Sequence, residues 1–228
     1  TKKEIAKQAK AAESVEPSGV PKWVQNTKIK GDFRLRYESR ERKGRTSKEK
    51  GRIRYRLGIE SNIVDQVKVG AGLASGSDSA TSSRSTNQDL ENAFSTKPFS
   101  LDYAYFEYEP TDWASIIAGK FKKKKYLWEP SDLLWDTDIN PEGGSIIVKN
   151  ELTDWAKASL STGVWILDES SPASTDPYMY YFQPMVTFKD KDSKIDAKLA
   201  YTYYNFAHVQ GKTLDDTEGT NSLDSSGL

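Results

Sequence analysis

The chain has 228 residues, with 33 Lys+Arg against 33 Asp+Glu, no Cys and one His, and it carries 6 Trp, 12 Tyr and 8 Phe. Its apolar runs are short pieces such as Ile116-Ile117-Ala118 and Ile146-Ile147-Val148, far below the about 20 consecutive apolar residues of a membrane-spanning helix, so helical spans are excluded; the aromatic content excludes disorder as a global description. Without Cys, disulfides, thiolate metal sites and Cys nucleophiles are excluded as well, and the balanced charge hides a net +9 over residues 28–56 that the rest of the chain offsets.

Residues 2–14 are rich in strong helix formers and poor in apolar anchors, which predicts a short polar helix within residues 1–16. Pro17, Gly19 and Pro21 end it in a linker over 17–27. From Lys28 the period becomes two. Ile29, Gly31, Phe33, Leu35 and Tyr37 alternate with Lys30, Asp32, Arg34, Arg36 and Glu38, and Arg52, Arg54 and Arg56 alternate with Ile53, Tyr55 and Leu57. On strands such alternation sends the apolar set to one face and the charges to the other. The basic stripe is therefore one face of a hairpin, and a nucleic-acid partner is not expected.

The same alternation continues to Tyr203 and gives nine candidate strands near 28–40, 50–63, 66–75, 100–109, 113–121, 144–151, 156–167, 178–189 and 193–206. Phe33, Leu35, Ile53, Leu57, Val69 and Leu199 are assigned to the apolar face. In strand 113–121 the phase stays open, because Ile116 and Ile117 are adjacent and either could face outward. Tight turns near Val64-Asp65, Pro110-Thr111, Leu152-Thr153 and Asp190–Asp192 alternate with long connections at 41–49, 76–99, 122–143, 168–177 and from 207 onward. That asymmetry predicts an all-β, antiparallel up-and-down transmembrane β-barrel with short turns at one end and long loops at the other. Glu109–Ala114 and Glu151–Ala156 match at five of six positions, each placing a Trp just past a turn. Trp113 and Trp155 at one end, with Tyr37, Phe121, Tyr180, Tyr201 and Tyr203 toward the other, are candidate interfacial aromatics.

Three segments carry a resemblance: Lys28–Glu38, Leu101–Tyr108, and Ala118–Phe121 followed by Leu133-Leu134-Trp135-Asp136-Thr137-Asp138-Ile139-Asn140-Pro141-Glu142-Gly143-Gly144. They resemble the bacterial putative-porin family over most of residues 23–206, the third being the most specific. The resemblance implies an outer-membrane diffusion channel for small hydrophilic solutes or ions, lodged in outer-membrane lipid, with a homotrimer as the family expectation and no cofactor. It also implies that loop 122–143 is a pore-constricting insertion. Nine strands form an odd count and no aromatic-ended strand closes the sequence, so the chain reads as the N-terminal part of a barrel of about 16–18 strands, with 207–228 an external loop or truncated end.

In such a channel Arg34, Arg36, Arg52, Arg54, Arg56, Lys68 and Lys120 are expected to line water and to favour anions, unless acids on loops pair with them. The constricting loop places Lys122, Lys123, Lys124 and Lys125 against Asp132, Asp136, Asp138 and Glu142, and its Leu133, Leu134 and Trp135 are expected to be buried. An enzyme is not expected: His208 stands in no catalytic motif, and no carboxylate spacing selects a glycosidase pair. Asp215, Asp216 and Glu218 lack the spacing of a calcium loop, so no metal is expected. The competing reading is a soluble or surface-exposed β-protein binding oligosaccharide on an aromatic face made by Tyr103, Tyr105, Tyr178, Tyr180, Tyr181, Tyr201, Tyr203 and Tyr204.

Overall fold

The computed structural model describes residues 20–76, 85–91, 93–131, 133–169, 175–189 and 196–210. The expected helix over 1–16, the turn near 190–192 and the acidic residues beyond 210 lie outside the described residues. Pro21 opens one helical turn, α1 (Lys22–Gln25), inside the segment read as a linker. The Trp23 carbonyl accepts hydrogen bonds from the hydroxyls of Thr27 and Ser61, which ties this turn to the sheet.

Eleven strands follow in one antiparallel sheet: β1 (Lys28–Arg42), β2 (Arg45–Val64), β3 (Val67–Ser75), β4 (Gln88–Asp89), β5 (Phe99–Thr111), β6 (Ala114–Lys120), β7 (Glu142–Thr153), β8 (Ala156–Ile166), β9 (Tyr178–Lys189), β10 (Asp196–Ala200) and β11 (Tyr203–Ala207). The order is β1-β2-β3-β5-β6-β7-β8-β9-β10, with β4 beside β2 and β11 beside β9. β1 and β10 each have a single neighbour, so the sheet is open among the described residues.

Pro184 explains why the expected last strand is split. β10 and β11 keep one register against β9, pairing Leu199 with Val186 and Tyr203 with Phe182. Between them Tyr201 donates to the Pro184 carbonyl at 3.2 Å, but proline has no N–H to return the bond, and the ladder lapses for two residues. β10 and β11 therefore form one track, and the nine expected strands are present. β4 is new: β3 stops at Ser75, which leaves the far half of β2 without a partner on that side, and Gln88–Asp89 return from the long connection to pair with Ile53 and Arg52.

The connection read as a long loop over 41–49 is instead a hairpin turn at Lys43-Gly44, with Gly44 at φ 75°. Cross-strand pairs Glu38–Lys50, Ser39–Glu49 and Arg40–Lys48 prolong both strands past the apolar zone, so β1 has 15 and β2 20 residues where about ten suffice to cross a bilayer.

The register gives the sheet two unlike faces. Ile29, Phe33 and Leu35 of β1 are about two-thirds exposed and align with Ile59, Tyr55 and Ile53 of β2, and the row continues through Val69, Leu73, Phe106, Ile116, Ile146, Leu160, Val164, Phe182 and Leu199. All six residues assigned to the apolar face lie in it. The open phase of β6 is resolved by packing, with Ile116 on this bare face and Ile117 buried on the other. The opposite face carries the charges at one end and a buried cluster of Ile117, Phe121, Tyr126, Leu127, Ile147, Trp165, Met179 and Tyr181 at the other.

Gly119 and Gly143 are a directly opposed pair of β6 and β7, with φ of 114° and 139°. A Cβ on Gly143 would stand 2.2 Å from the Val164 carbonyl oxygen, and one on Gly119 2.3 Å from that of Ala104. The two glycines let the chain bend out of the sheet and back at the foot of the 121–141 connection. Gly143→Ala is expected to cost about 2 kcal/mol or more, read as a lower urea midpoint in detergent micelles, because it adds a clash to a left-handed backbone. An unchanged midpoint would show that the bend relaxes freely.

Candidate functional site: a charged sheet face under an inserted loop

The charged half of the covered face is built by cross-strand pairing. Arg34 lies opposite Arg54 and Arg36 opposite Arg52, an arrangement that repels unless anions intervene. Three carboxylates do so. Asp32 accepts from Arg54 at 2.9 Å and from Arg56 at 2.7 Å, Glu38 pairs with Arg36, Arg40 and Arg52, and Asp89 accepts from Arg52 Nε at 2.6 Å and from Lys50. Arg34 has no carboxylate partner among the described residues; it donates to the Asn87 amide. The wall is thus basic, but four of its five arginines are neutralised in part, as the ion-pair reading of these residues anticipated.

Asp89 belongs to the returning connection. Burial alone would raise its carboxyl, yet the hydrogen bonds from Lys50 and Arg52 outweigh that and hold it below the ordinary carboxylate range. A depressed folded value means that its contribution to stability is complete above the unfolded value near pH 4 and is lost as pH falls through the folded one. Protection of the Gln88–Leu90 amides, measured by hydrogen–deuterium exchange relative to the intrinsic rate at each pH, is therefore expected to stay high at neutral pH and to fall only below about pH 4. Asp89→Asn is expected to lower it at neutral pH and to change it little once the wild-type carboxyl is protonated.

The 121–141 segment covers the rest of this face. Phe121, Tyr126 and Leu127 are buried against Ile117, Ile147, Trp165 and Tyr181. A 3-10 turn, Lys123–Lys125, aims its first and last lysines at separate anchors. Lys123, itself buried, donates to the Asp136 carbonyl at 2.7 Å and lies 3.4 Å from Glu129. Lys125 reaches Glu107 at 2.7 Å and also Glu109. Glu107, 3% exposed, is the hub: Lys68 at 2.8 Å, Lys125, and the Tyr126 hydroxyl at 2.7 Å all converge on it. Burial, together with the bond to Glu107, keeps the Tyr126 hydroxyl protonated well above the ordinary tyrosine range. Farther along, the Gln183 carboxamide accepts from Trp128 N at 2.8 Å and donates to Trp128 O at 2.9 Å, pairing with that residue as a neighbouring strand would.

Several expectations need correction. Lys120 and Glu142 pair with each other at 2.8 Å, but the register sets both with Ala104, Ala118 and Ile146 on the bare face, because alternation runs through Gly119 and Gly143 and moves them off the charged one. Leu133 and Leu134 are 91% and 68% exposed, and only Trp135 packs, against Trp165, Tyr204 and Phe206. Phe121, grouped with the interfacial aromatics, is fully buried under the loop. Trp113, Trp155, Tyr37, Tyr201 and Tyr203 are exposed on strands or turns. Arg34, Arg36, Arg52, Arg54, Arg56 and Lys68 share the covered face with Lys122, Lys123, Asp136 and Asp138 of the loop, whereas Asp132 lies outside the described residues. Glu107 and Gln183 went unmarked in the sequence, where a buried polar residue and a water-facing one occupy the same alternate positions.

An all-β sheet with one bare apolar face and one charged face under an inserted segment defines a two-sided wall. The chain belongs to the family described as putative porin, which it matches over residues 1–50 and 42–226. Membership suggests a channel role and implies an outer-membrane location. No curated protein matches the chain.

Proposed function

We propose that the chain forms part of the wall, and the constricting loop, of an outer-membrane channel for passive diffusion of small hydrophilic solutes or ions, with a modest anion preference. The observation that carries this reading is the pairing of a continuous exposed apolar face, suited to lipid, with a charged face on which the 121–141 segment is fastened, in a chain of the porin family. Outer-membrane lipid, small solutes or anions and, following the family resemblance, further copies of the chain are its partners. Closure would come from strands beyond those described, in a barrel of about 16–18 strands.

The ion pairs set how much selectivity to expect. A unit charge at about 4 Å is worth ~1 kcal/mol in water and ~4 kcal/mol at an effective dielectric near 20. Asp32, Glu38 and Asp89 cancel much of the field of their partners, whereas Arg34 has no carboxylate in contact among the described residues and feels only the more remote Asp138, so it is the least compensated arginine of the wall. In planar bilayers under a salt gradient, Arg34→Gln is expected to move the reversal potential toward cation preference more than Arg54→Gln does. A wild type that already prefers cations, or equal shifts from the two variants, would overturn this assignment.

The oligosaccharide-binding alternative has less support. Its tyrosines do not share a face: Tyr103, Tyr105, Tyr181 and Tyr204 lie under the loop, whereas Tyr178, Tyr180, Tyr201 and Tyr203 lie on the bare side. Folding as a monomer in plain buffer without detergent would favour it over the channel.

A further inference from the structure

Between the stem of the inserted segment and the sheet lies a cavity of about 600 Å³, bordered by Arg56 of β2 and by Lys198 of β10. These strands stand near opposite ends of the sheet order, so the sheet curls around this space. The volume falls within the range of small-molecule sites.

The lining separates into groups that hold the fold and groups left uncommitted. Arg56 is bound by Asp32, and Lys123 by carbonyl oxygens and Glu129. Lys122, Lys124 and Lys198 form no ion pair among the described residues; the Lys122 ammonium rests 4.5 Å from the ring centroid of Tyr103. Acceptors stand within the same lining. Asp102 is oriented by Asn140 Nδ2 at 2.7 Å and feels the charge of Lys122, and Asp138, which forms no ion pair among the described residues, lies within the field of Arg34. Trp128 also borders the cavity, its backbone fixed on both sides by Gln183.

Ammonium groups outside any ion pair, carboxylates that can accept from hydroxyls and an indole carried on a fixed backbone are three complementary parts of one recognition chemistry. Lysines neutralise an anionic group, carboxylates and an amide take up the hydroxyls of a polyol, and an indole face covers the C–H side of a sugar ring. A bare anion needs only the first, and the two carboxylates would repel it.

We propose that this cavity is a retention site for anionic, hydroxyl-rich solutes of monosaccharide size, that is, sugar phosphates or sugar acids. Lys122, Lys124 and Lys198 hold the anion, and Asp102, Asp138 and Trp128 read the sugar. The proposal rests on the channel reading in that the solute reaches the site from the pore, but binding itself needs no conduction.

The test is calorimetric titration of the intact protein in detergent micelles with glucose 6-phosphate, glucuronate, glucose and inorganic phosphate. Saturable binding of glucose 6-phosphate, glucuronate or both is expected, with glucose and inorganic phosphate each weaker by about tenfold or more, the loss of one charge-assisted contact set. Which acid binds tighter identifies phosphate or carboxylate as the source of the anion. Lys122→Gln/Lys124→Gln is expected to weaken binding by tenfold or more, and Lys198→Gln, on a separate strand, provides a second variant should the loop pair disturb folding. Inorganic phosphate binding as tightly as glucose 6-phosphate overturns sugar recognition, and absence of binding by both acids, or binding untouched by all three lysine changes, overturns the site. Conductance recorded on the same preparation keeps the two readings apart, since a conducting protein that binds neither acid overturns only this inference, and binding without conductance overturns only the channel.

Discussion

Replacing Glu107 by glutamine is expected to release the stem of the inserted segment from the sheet. The carboxylate gathers Lys68, Lys125 and the Tyr126 hydroxyl within 2.8 Å while itself almost wholly buried. Removing one member of a buried ion pair costs about 3–5 kcal/mol when the remaining charge is trapped. Here the lysine side chains keep about a third of their surface in water and can turn outward, which lowers the expected loss to about 1–3 kcal/mol. Urea unfolding in micelles reads the stability, and single-channel recording reads the looser segment as added open-channel noise. Glu109→Gln is the control: it also meets Lys125 but is about half exposed, so an effect of a few tenths of a kcal/mol is expected. Equal effects from the two substitutions would deny Glu107 its special role.

A second large effect is expected at Gln183, which is 2% exposed and bonds both the N–H and the C=O of Trp128 as well as the Thr202 hydroxyl at 2.7 Å. Gln183→Leu leaves those backbone groups without partners at a cost of about 1–3 kcal/mol. Gln183→Glu keeps the acceptor, loses the donor and adds a buried charge, and is expected to cost more at neutral pH. The direct readout is trypsin cleavage at Lys122–Lys125, where four consecutive sites are protected while the segment stays docked. Cleavage no faster than in the wild type would mean that Phe121, Tyr126 and Leu127 hold the segment without Gln183.

The strands were legible because a two-sided wall imposes one rule, period two, on the strand residues between Lys28 and Ala207. The rule failed where two-sidedness fails. In Glu38–Lys50 both faces are charged, so a continuing hairpin read as a loop, and Gln88–Asp89 are too short to show any period. Lys120 and Glu142 fall on the unexpected face because the phase of β6, open in the sequence, puts them in register with Ala118 and Ile116. Leu133 and Leu134 are exposed although their composition suggested burial, because packing at this point is supplied by Trp135 alone. The arginine wall was visible as a row of charges, with pairing to acids an open alternative, but which groups pair was not legible: Asn87 and Asp89 arrive from a connection whose return path no local pattern encodes.

The inserted segment is fastened at two separated places, around Lys125–Trp128 through Glu107 and Gln183, and around Asp136–Asn140 through Lys123 and Asp102. Between them the described residues 129–131 and 133–135 meet the sheet mainly through Trp135. In evolutionary terms that stretch, Glu129 and Trp135 apart, is suited to exchange as a cassette: substitutions and small changes of length there are expected to leave both fastenings and the strand register intact, so related chains could vary this segment without re-solving the problem of how the sheet folds.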